Sequence, residues 1–139
     1  MIIVLDANIV IMALLGSRAT TVILTSQNYQ FYAPARIIHE VRKKKQLICN
    51  LSGFSELEFE EGVEALLRFI KVLEFTEYEL YMGLSKEVIA SRDPTDTEYI
   101  ACALSVHADF IWSNDKDFTA QSIILVKTTS QFIEEGKSA

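Results

Sequence analysis

The stretch that decides the fold is residues 2–8, Ile-Ile-Val-Leu-Asp-Ala-Asn. Residues 2–5 form an uninterrupted apolar run rich in β-branched side chains, and such a run suits a strand that is buried on both faces of a sheet. Asp6 ends this run, and a helical pattern over residues 8–15 follows directly. A buried strand that leads at once into a helix predicts a parallel sheet covered by helices.

Strand and helix patterns continue to alternate along the chain. Pro34 suits the first turn of a helix, Ser55 and Glu58 have the spacing of a capping box, and a loop is expected at residues 50–53. Further strands are predicted at 31–33, 71–75, 110–112 and 123–126, and further helices at 20–26, 34–45, 55–69, 77–91, 95–107 and 130–135. This alternation predicts an α/β fold, a three-layer α/β/α sandwich around a central, mainly parallel sheet.

The composition is that of an ordinary globular domain. The 139 residues are 50% hydrophobic and 23% charged, so we expect one domain over residues 1–139, with a C-terminal extension from about residue 127. The net charge of −6 argues against a protein that coats nucleic acid through its overall charge. Cys49 and Cys102 are too few for a disulfide framework and show no CxxC spacing, so we expect reduced thiols in a cytoplasmic protein. The apolar residues 1–15 are interrupted by Asp6 and Asn8 and are too short to span a bilayer.

Acidic side chains are expected at the carboxyl edge of the predicted sheet. Asp6 follows the first strand, and Asp115 follows the predicted strand at 110–112. Glu40 lies less than two turns into the helix predicted from Pro34, and Asp96 lies in the first turn of its own helix. Ligands of open parallel sheets bind at the carboxyl ends of the strands, so we expect these carboxylates to share one crevice.

Each of these residues also has an ordinary structural explanation. Asp6 can end a strand, Glu40 can be a solvated charge, Asp96 can favour a helix start, and Asp115 can be a turn residue. Together they are harder to explain in that way, because carboxylates crowded into one crevice repel each other and have to take up protons. A bound divalent cation removes this cost, and ligation by oxygen alone favours Mg²⁺ or Mn²⁺. Zinc is not favoured, since the two histidines have no ligand partner at metal spacing.

The third predicted helix also carries positive charge. Arg36 and Lys43 fall on the same side of this helix as Glu40, and Arg42 and Lys44 belong to the densest positive run of an acidic chain. Two explanations stay open. The run is either a solvated helix end whose cations complement the helix dipole, or a surface that binds the phosphates of a polyanion beside the acidic crevice.

Four short motifs occur in order along the chain. They are Asp6-Ala7-Asn8, Glu40 early in its helix, Asp93-Pro94-Thr95-Asp96 ahead of Ile100-Ala101-Cys102-Ala103, and Ser113-Asn114-Asp115-Lys116-Asp117-Phe118. In order, approximate spacing and total length this set resembles the PIN domain family over roughly residues 1–126. The resemblance places the acidic set of the family on Asp6, Glu40, Asp96 and Asp115. Asn8, Ser113 and Asp117 take supporting positions, and we interpret Asp93 as a helix cap.

The resemblance implies a metal-dependent ribonuclease, and small members of the family are often the toxin of a VapBC toxin–antitoxin pair. Asp6, Asp96 and Asp115 would hold one or two Mg²⁺ or Mn²⁺ ions, and Glu40 would complete the shell or orient water. Metal-bound water would be the nucleophile, so no protein nucleophile is needed. The implied partners are RNA, a cognate antitoxin and a second copy of the chain in a homodimer. We expect single-stranded or looped RNA, since a shallow acidic edge reaches an exposed backbone more easily than a duplex, and the basic residues of the third helix are candidates to contact it.

Two alternative functions stay open. A haloacid-dehalogenase-like phosphatase also has an aspartate after its first strand, where it acts as a covalent nucleophile. That family expects a second aspartate where this chain has Asn8. The other alternative is a PIN-like fold that binds RNA or a protein partner without catalysis, and the intact acidic set argues against it.

Overall fold

The computed structural model describes residues 1–83, 94–115, 118 and 124–138. The strands are β1 (Ile2–Leu5), β2 (Gln30–Pro34), β3 (Ile70–Leu73), β4 (Phe110–Trp112) and β5 (Val126–Lys127). The helices are α1 (Ala7–Leu14), α2 (Arg18–Leu24), α3 (Arg36–Lys43), α4 (Lys45–Ser52), α5 (Glu56–Leu67), α6 (Phe75–Tyr78), α7 (Pro94–Ser105) and α8 (Thr129–Ser138). A 3₁₀ turn, Glu79–Tyr81, follows α6.

These strands form one sheet in the order β3-β2-β1-β4-β5. β1 is central, and its Ile3 pairs with Phe31 of β2 on one side and with Phe110 of β4 on the other. Every pairing within the described residues is parallel, so the carboxyl ends of the strands meet at one edge. The predicted parallel sheet is confirmed.

Helices cover both faces of the sheet, and each face has its own hydrophobic core. Ile3 and Leu5 of β1 pack with apolar residues of α1 to α5 and with Phe132 of α8, whereas Val4 packs on the other face with α7 and Tyr78. This division follows from the two-residue period of side chains along a strand. The predicted three-layer α/β/α arrangement is confirmed.

The C-terminal helix α8 is attached to the core by an aromatic contact. Its first turn has a capping box, in which Thr128 and Gln131 each accept a hydrogen bond from the backbone N–H of the other. The ring of Phe132 packs edge-on against Phe110 and Trp112, with 5.2 Å between ring centroids in both pairs. The segment that we expected as a C-terminal extension thus contributes a buried side chain to the sheet.

Pro34 ends a strand, and the prediction that it begins a helix is wrong. It is the last residue of β2 and pairs with Leu73 of β3, and α3 begins at Arg36. The backbone N–H of Ala35 donates to Leu73, so the nitrogen of Pro34 points toward β1. Pairing between β1 and β2 already ends at Tyr32, so the missing N–H of proline costs no hydrogen bond of the sheet.

The helix predicted over residues 34–45 corresponds to α3, which ends at Lys43, and a helix that was not predicted, α4, begins at Lys45. The loop predicted at 50–53 is also wrong, because α4 continues to Ser52 and ends where Gly53 adopts a left-handed conformation at φ +79°. The capping box of Ser55 and Glu58 at the start of α5 is confirmed.

The strand predicted at 71–75 ends earlier, because Glu74 and Glu77 form a capping box and start α6. The part of the predicted helix 77–91 beyond residue 83 lies outside the described residues, as do Asp93 and the first residue of the strand predicted at 123–126. No helix in the described ranges is long and apolar enough to cross a membrane.

Candidate active site

Asp6 lies at the turn from β1 into α1. Its backbone is extended, with φ −96° and ψ 174°, and its carbonyl accepts a hydrogen bond from the backbone N–H of Ile9 at 3.2 Å. Its side chain makes no capping hydrogen bond with the helix and is almost fully buried. The carboxylate accepts the hydroxyl hydrogen bond of Ser113, which lies after the adjacent strand β4.

Ser113 connects Asp6 to the acidic segment after β4. Its hydroxyl donates to Oδ2 of Asp6 and accepts from the backbone N–H of Asp115 at 3.0 Å. Leu5 of β1 pairs with Trp112 of β4, so the residues that follow these two strands lie side by side. One hydroxyl thus links the first acidic residue to the backbone of the second.

The four predicted carboxylates line one small cavity. Asp6 and Asp115 reach it from the strand ends, Glu40 from the second turn of α3, and Asp96 from the first turn of α7. The cavity has a volume of about 90 Å³, and it is lined by Asp6, Ala7, Asn8, Glu40, Asp96, Tyr99 and Asp115. The structure therefore brings these four acids and Asn8 together, with Ser113 directly behind Asp6, while Asp117 lies outside the described residues.

Burial raises the pKa of the Asp6 carboxyl to about 6. The neighbouring carboxylates of Asp115 and Glu40 add to this increase, and the hydrogen bond from Ser113 opposes it. The second oxygen of Asp6, Oδ1, is buried and has no hydrogen-bond partner among the described residues. A buried anionic oxygen of this kind is costly unless a proton or a cation compensates its charge.

The donor set of the cavity fits a hard divalent cation. Carboxylate and amide oxygens are the ligands that Mg²⁺ and Mn²⁺ prefer, and Oδ1 of Asp6 is an open donor at the cavity. Within the part of the chain that the structure describes, no three acidic, histidine or cysteine side chains are arranged to hold an ion as they stand. Binding would therefore require the carboxylates to turn toward the centre of the cavity.

Arg36 and Tyr99 are among the neighbours that hold Glu40. Nε of Arg36, one turn earlier on α3, lies 2.8 Å from Oε1 of Glu40. The hydroxyl of Tyr99 donates to the same oxygen at 3.2 Å. Burial and the nearby Glu40 carboxylate raise the pKa of Tyr99, so its hydroxyl remains a neutral donor. These contacts place Glu40 at the wall of the cavity.

Sequence reasoning missed a fifth carboxylate, Glu98, on α7. Its Oε2 pairs with Nη1 of Arg36, and its Oε1 accepts a hydrogen bond from the hydroxyl of Tyr78 at 2.8 Å. The side chain is only 16% exposed. No motif marks this position, and the single signal in the sequence is an acidic residue directly before the apolar run Tyr99–Ala103.

Lys43 and Lys44 line a second cavity beside the acidic one. Its volume is about 340 Å³, and its lining comprises Ala7, Asn8, Ile11, Arg36, His39, Glu40, Lys43 and Lys44. Asn8 and Glu40 line both cavities, so the two adjoin. Positive charge on α3 thus lies directly next to the carboxylates.

The other cations of the basic run point toward α5. Nη2 of Arg42 lies 3.1 Å from Oε2 of Glu60, and Nζ of Lys45 lies 3.6 Å from Oε1 of the same residue. Among the described residues, no ion pair joins Lys43 or Lys44 to an acidic side chain. The tertiary structure therefore separates the basic run into a pair that packs on α5 and a pair that faces the site.

The fold and the site define an α/β protein with a crevice of carboxylates at the carboxyl ends of its parallel strands. A family model described as PIN domain matches residues 4–134. The chain belongs to the PIN domain family, and the resemblance carried by its motifs is confirmed.

Solved structures share this fold at low sequence identity. VapBC2 from Rickettsia felis, bound to a DNA fragment from its promoter, is 13% identical with a TM-score of 0.72 and covers 92% of this chain and 98% of its own. VapBC-1 from nontypeable Haemophilus influenzae is 20% identical with a TM-score of 0.67, and the match covers 94% of this chain and 99% of that one. PAE2754 from Pyrobaculum aerophilum is 14% identical with a TM-score of 0.66, and the match covers 99% of this chain and 90% of that one. No curated protein matches the chain by sequence.

Proposed function

We propose that this chain is a metal-dependent endoribonuclease that hydrolyses RNA phosphodiester bonds in the acidic cavity. The observation that carries the proposal is the convergence of four carboxylates, from four separate segments of a PIN domain, on one cavity of about 90 Å³. Such a cluster is electrostatically unfavourable without a cation, and the open Oδ1 of Asp6 is a donor that a cation would satisfy.

Each side chain has its own part in the proposed reaction. Asp6, Asp96 and Asp115 would hold Mg²⁺ or Mn²⁺, directly or through water, and Glu40 would complete the shell or orient the attacking water. The bound cation supplies an acidified water as the nucleophile and neutralises charge on the phosphate. Ser113 keeps Asp6 aligned with the backbone of Asp115 through its hydroxyl.

The second cavity supports RNA as the substrate. Lys43 and Lys44 place positive charge next to the carboxylates, where the phosphate beside the scissile one would lie. Arg36 and Arg42 stay in the proposed RNA-contact set, although both also pair with glutamates. The carboxyl edge of the sheet, where both cavities lie, accepts the exposed backbone of single-stranded or looped RNA more easily than a duplex.

The test is cleavage of a labelled pool of single-stranded RNA in Mg²⁺ or Mn²⁺ and in EDTA. Asp6→Asn removes one proposed ligand. Glu61→Gln is the matched control, because it removes one negative charge at an exposed position of α5. We expect metal-dependent cleavage by the wild type and by Glu61→Gln, and none by Asp6→Asn. Cleavage in EDTA, or full activity of Asp6→Asn, would contradict the proposal, and a phosphorylated Asp6 would favour the phosphatase alternative.

We propose further that the chain is the toxin of a toxin–antitoxin pair and acts in the cytoplasm. The likeness in fold to VapBC2 and VapBC-1 supports a cognate antitoxin. We propose that this antitoxin covers the acidic cavity and that the chain forms a homodimer. Induced expression should arrest growth, and expression of Asp6→Asn should not. Equal growth of both strains would contradict the toxin assignment, and a monomeric mass by light scattering would contradict the homodimer.

A further inference from the structure

We propose that Glu98 and Tyr78 are positioning residues for this site. They hold the guanidinium of Arg36, and Arg36 in turn holds Glu40 at the wall of the acidic cavity. The inference rests on the proposed function, since it concerns how Glu40 is presented to the cation and to the reacting water.

The contacts form a continuous chain across three helices. The hydroxyl of Tyr78, on α6, donates to Oε1 of Glu98, on α7, at 2.8 Å. The other oxygen of Glu98 pairs with Nη1 of Arg36, on α3. A different nitrogen of Arg36, Nε, lies 2.8 Å from Oε1 of Glu40 as an ion pair, without the alignment of a hydrogen bond. Because the guanidinium is planar and rigid, the contact of Nη1 with Glu98 limits where its positive charge lies relative to Glu40.

The outer end of this chain is well anchored, whereas the Arg36–Glu40 pair alone is not. The side chain of Arg36 is 35% exposed, and an ion pair one turn apart on a helix surface is weak and mobile. Tyr78 is fully buried, and its ring packs against Phe75 with 5.5 Å between centroids. Glu98 therefore connects a half-exposed arginine to a side chain fixed in the core.

The network also determines where the positive charge of Arg36 lies. The single positive charge of Arg36 is shared between Glu98 and Glu40. Without Glu98 the guanidinium would lose its fixed partner, and the weak Arg36–Glu40 pair could then move away from the cavity as a unit. Loss of Glu98 should therefore weaken metal binding even though Glu98 does not line the acidic cavity.

The first test is Mn²⁺ binding by calorimetry on the metal-free protein. Glu98→Gln removes the charge, Tyr78→Phe removes only the hydroxyl, and Glu60→Gln is the matched control, because Glu60 pairs with another arginine of α3, Arg42. We expect Mn²⁺ affinity to fall about 10-fold in Glu98→Gln, the lower end of the usual effect of losing a residue that supports a metal ligand, because Glu98 acts on Glu40 only through Arg36. Tyr78→Phe should show a smaller loss in the same direction with no change of charge, and Glu60→Gln should bind as the wild type does.

The second test separates positioning from simple stabilisation. In RNA cleavage, Tyr78→Phe should lower kcat and leave KM unchanged, and it should have no further effect on kcat in a Glu40→Gln background. Melting temperatures of all variants show that they are folded. Variants that melt earlier but bind Mn²⁺ with wild-type affinity would overturn the inference and assign Glu98 and Tyr78 to packing alone. A wild type that neither binds Mn²⁺ nor cleaves RNA would instead overturn the proposed function.

Discussion

Asp6→Asn should stabilise the metal-free protein while removing its activity. Asp6 is 5% exposed, and its Oδ1 has no hydrogen-bond partner among the described residues. At neutral pH the protein must therefore keep a buried, crowded carboxylate ionised. The neutral amide has the same shape, and its carbonyl oxygen can still accept from Ser113, while its NH₂ group meets the neighbouring carboxylates as a donor.

The size of this stabilisation follows from the pKa of Asp6. Burial raises this pKa from 3.8 to about 6, and at ~1.4 kcal/mol per pKa unit the ionised group costs on the order of 3 kcal/mol of folding free energy at neutral pH. The buried NH₂ group offsets part of the gain, so we expect Asp6→Asn to stabilise by ~1–3 kcal/mol. For a chain of this length that is an increase in melting temperature of roughly 3–10 °C.

The sign of the pH dependence is determined by the same pKa. Because it is raised, the native state binds a proton more tightly than the unfolded state does between about pH 4 and pH 6. The stabilising contribution of protonated Asp6 is complete below the unfolded pKa of 3.8 and is lost as the pH rises through about 6. The advantage of Asp6→Asn should thus be largest above pH 7 and should vanish near pH 4.

The assay is thermal and urea unfolding in EDTA across this pH range, with Glu61→Gln as the charge control. Saturating Mn²⁺ should stabilise the wild type and narrow its difference from Asp6→Asn, since a ligand that binds only the native state raises its stability. The reasoning is refuted if Asp6→Asn is less stable than the wild type in EDTA at pH 7.5, or if its advantage does not change with pH.

Three further predictions concern positions away from the site. His107 has φ +53°, a backbone conformation that costs an L residue free energy and that glycine adopts freely. His107→Gly should therefore raise the free energy of unfolding by ~1 kcal/mol in urea, and a lower value would contradict this reasoning. Ser55→Ala should destabilise by ~1 kcal/mol because it removes the acceptor for the N–H of Glu58, and Ser55→Thr should restore most of the loss. Burial raises the pKa of Cys102 to about 12, so a thiol reagent at pH 8 should modify the partly buried Cys49 first. Equal rates of modification at the two cysteines would contradict the burial of Cys102.

The central sheet and the acidic residues were predictable from the sequence because their signals are local. A continuous apolar run such as residues 2–5 suits a strand buried on both faces, and all strands of a parallel sheet end at one edge. Asp6 and Asp115 follow adjacent strands, so topology alone brings them together. Glu40 and Asp96 lie near the starts of helices that begin at the same edge.

Other features depended on partners that are distant in the sequence. Pro34 reads locally as a helix start, but it is a strand residue because its nitrogen faces a side where pairing with β1 has already ended. Arg42 pairs with Glu60 of α5, whereas its neighbour Lys43 lines the second cavity, and this difference depends on where α5 places Glu60. None of these contacts leaves a trace within a short window of sequence.

The sequence alone determined the alternation of strands with helices, the parallel sheet and the acidic residues expected at its carboxyl edge, because hydrophobic period and residue chemistry act over a few neighbouring residues. Only the tertiary structure decided which charges meet. Glu98 reaches Arg36 across 62 positions of the chain, and burial of Asp6 beneath neighbouring elements raises its pKa. Burial and ion pairing depend on elements that meet only when the chain folds, and for that reason a local pattern cannot report them.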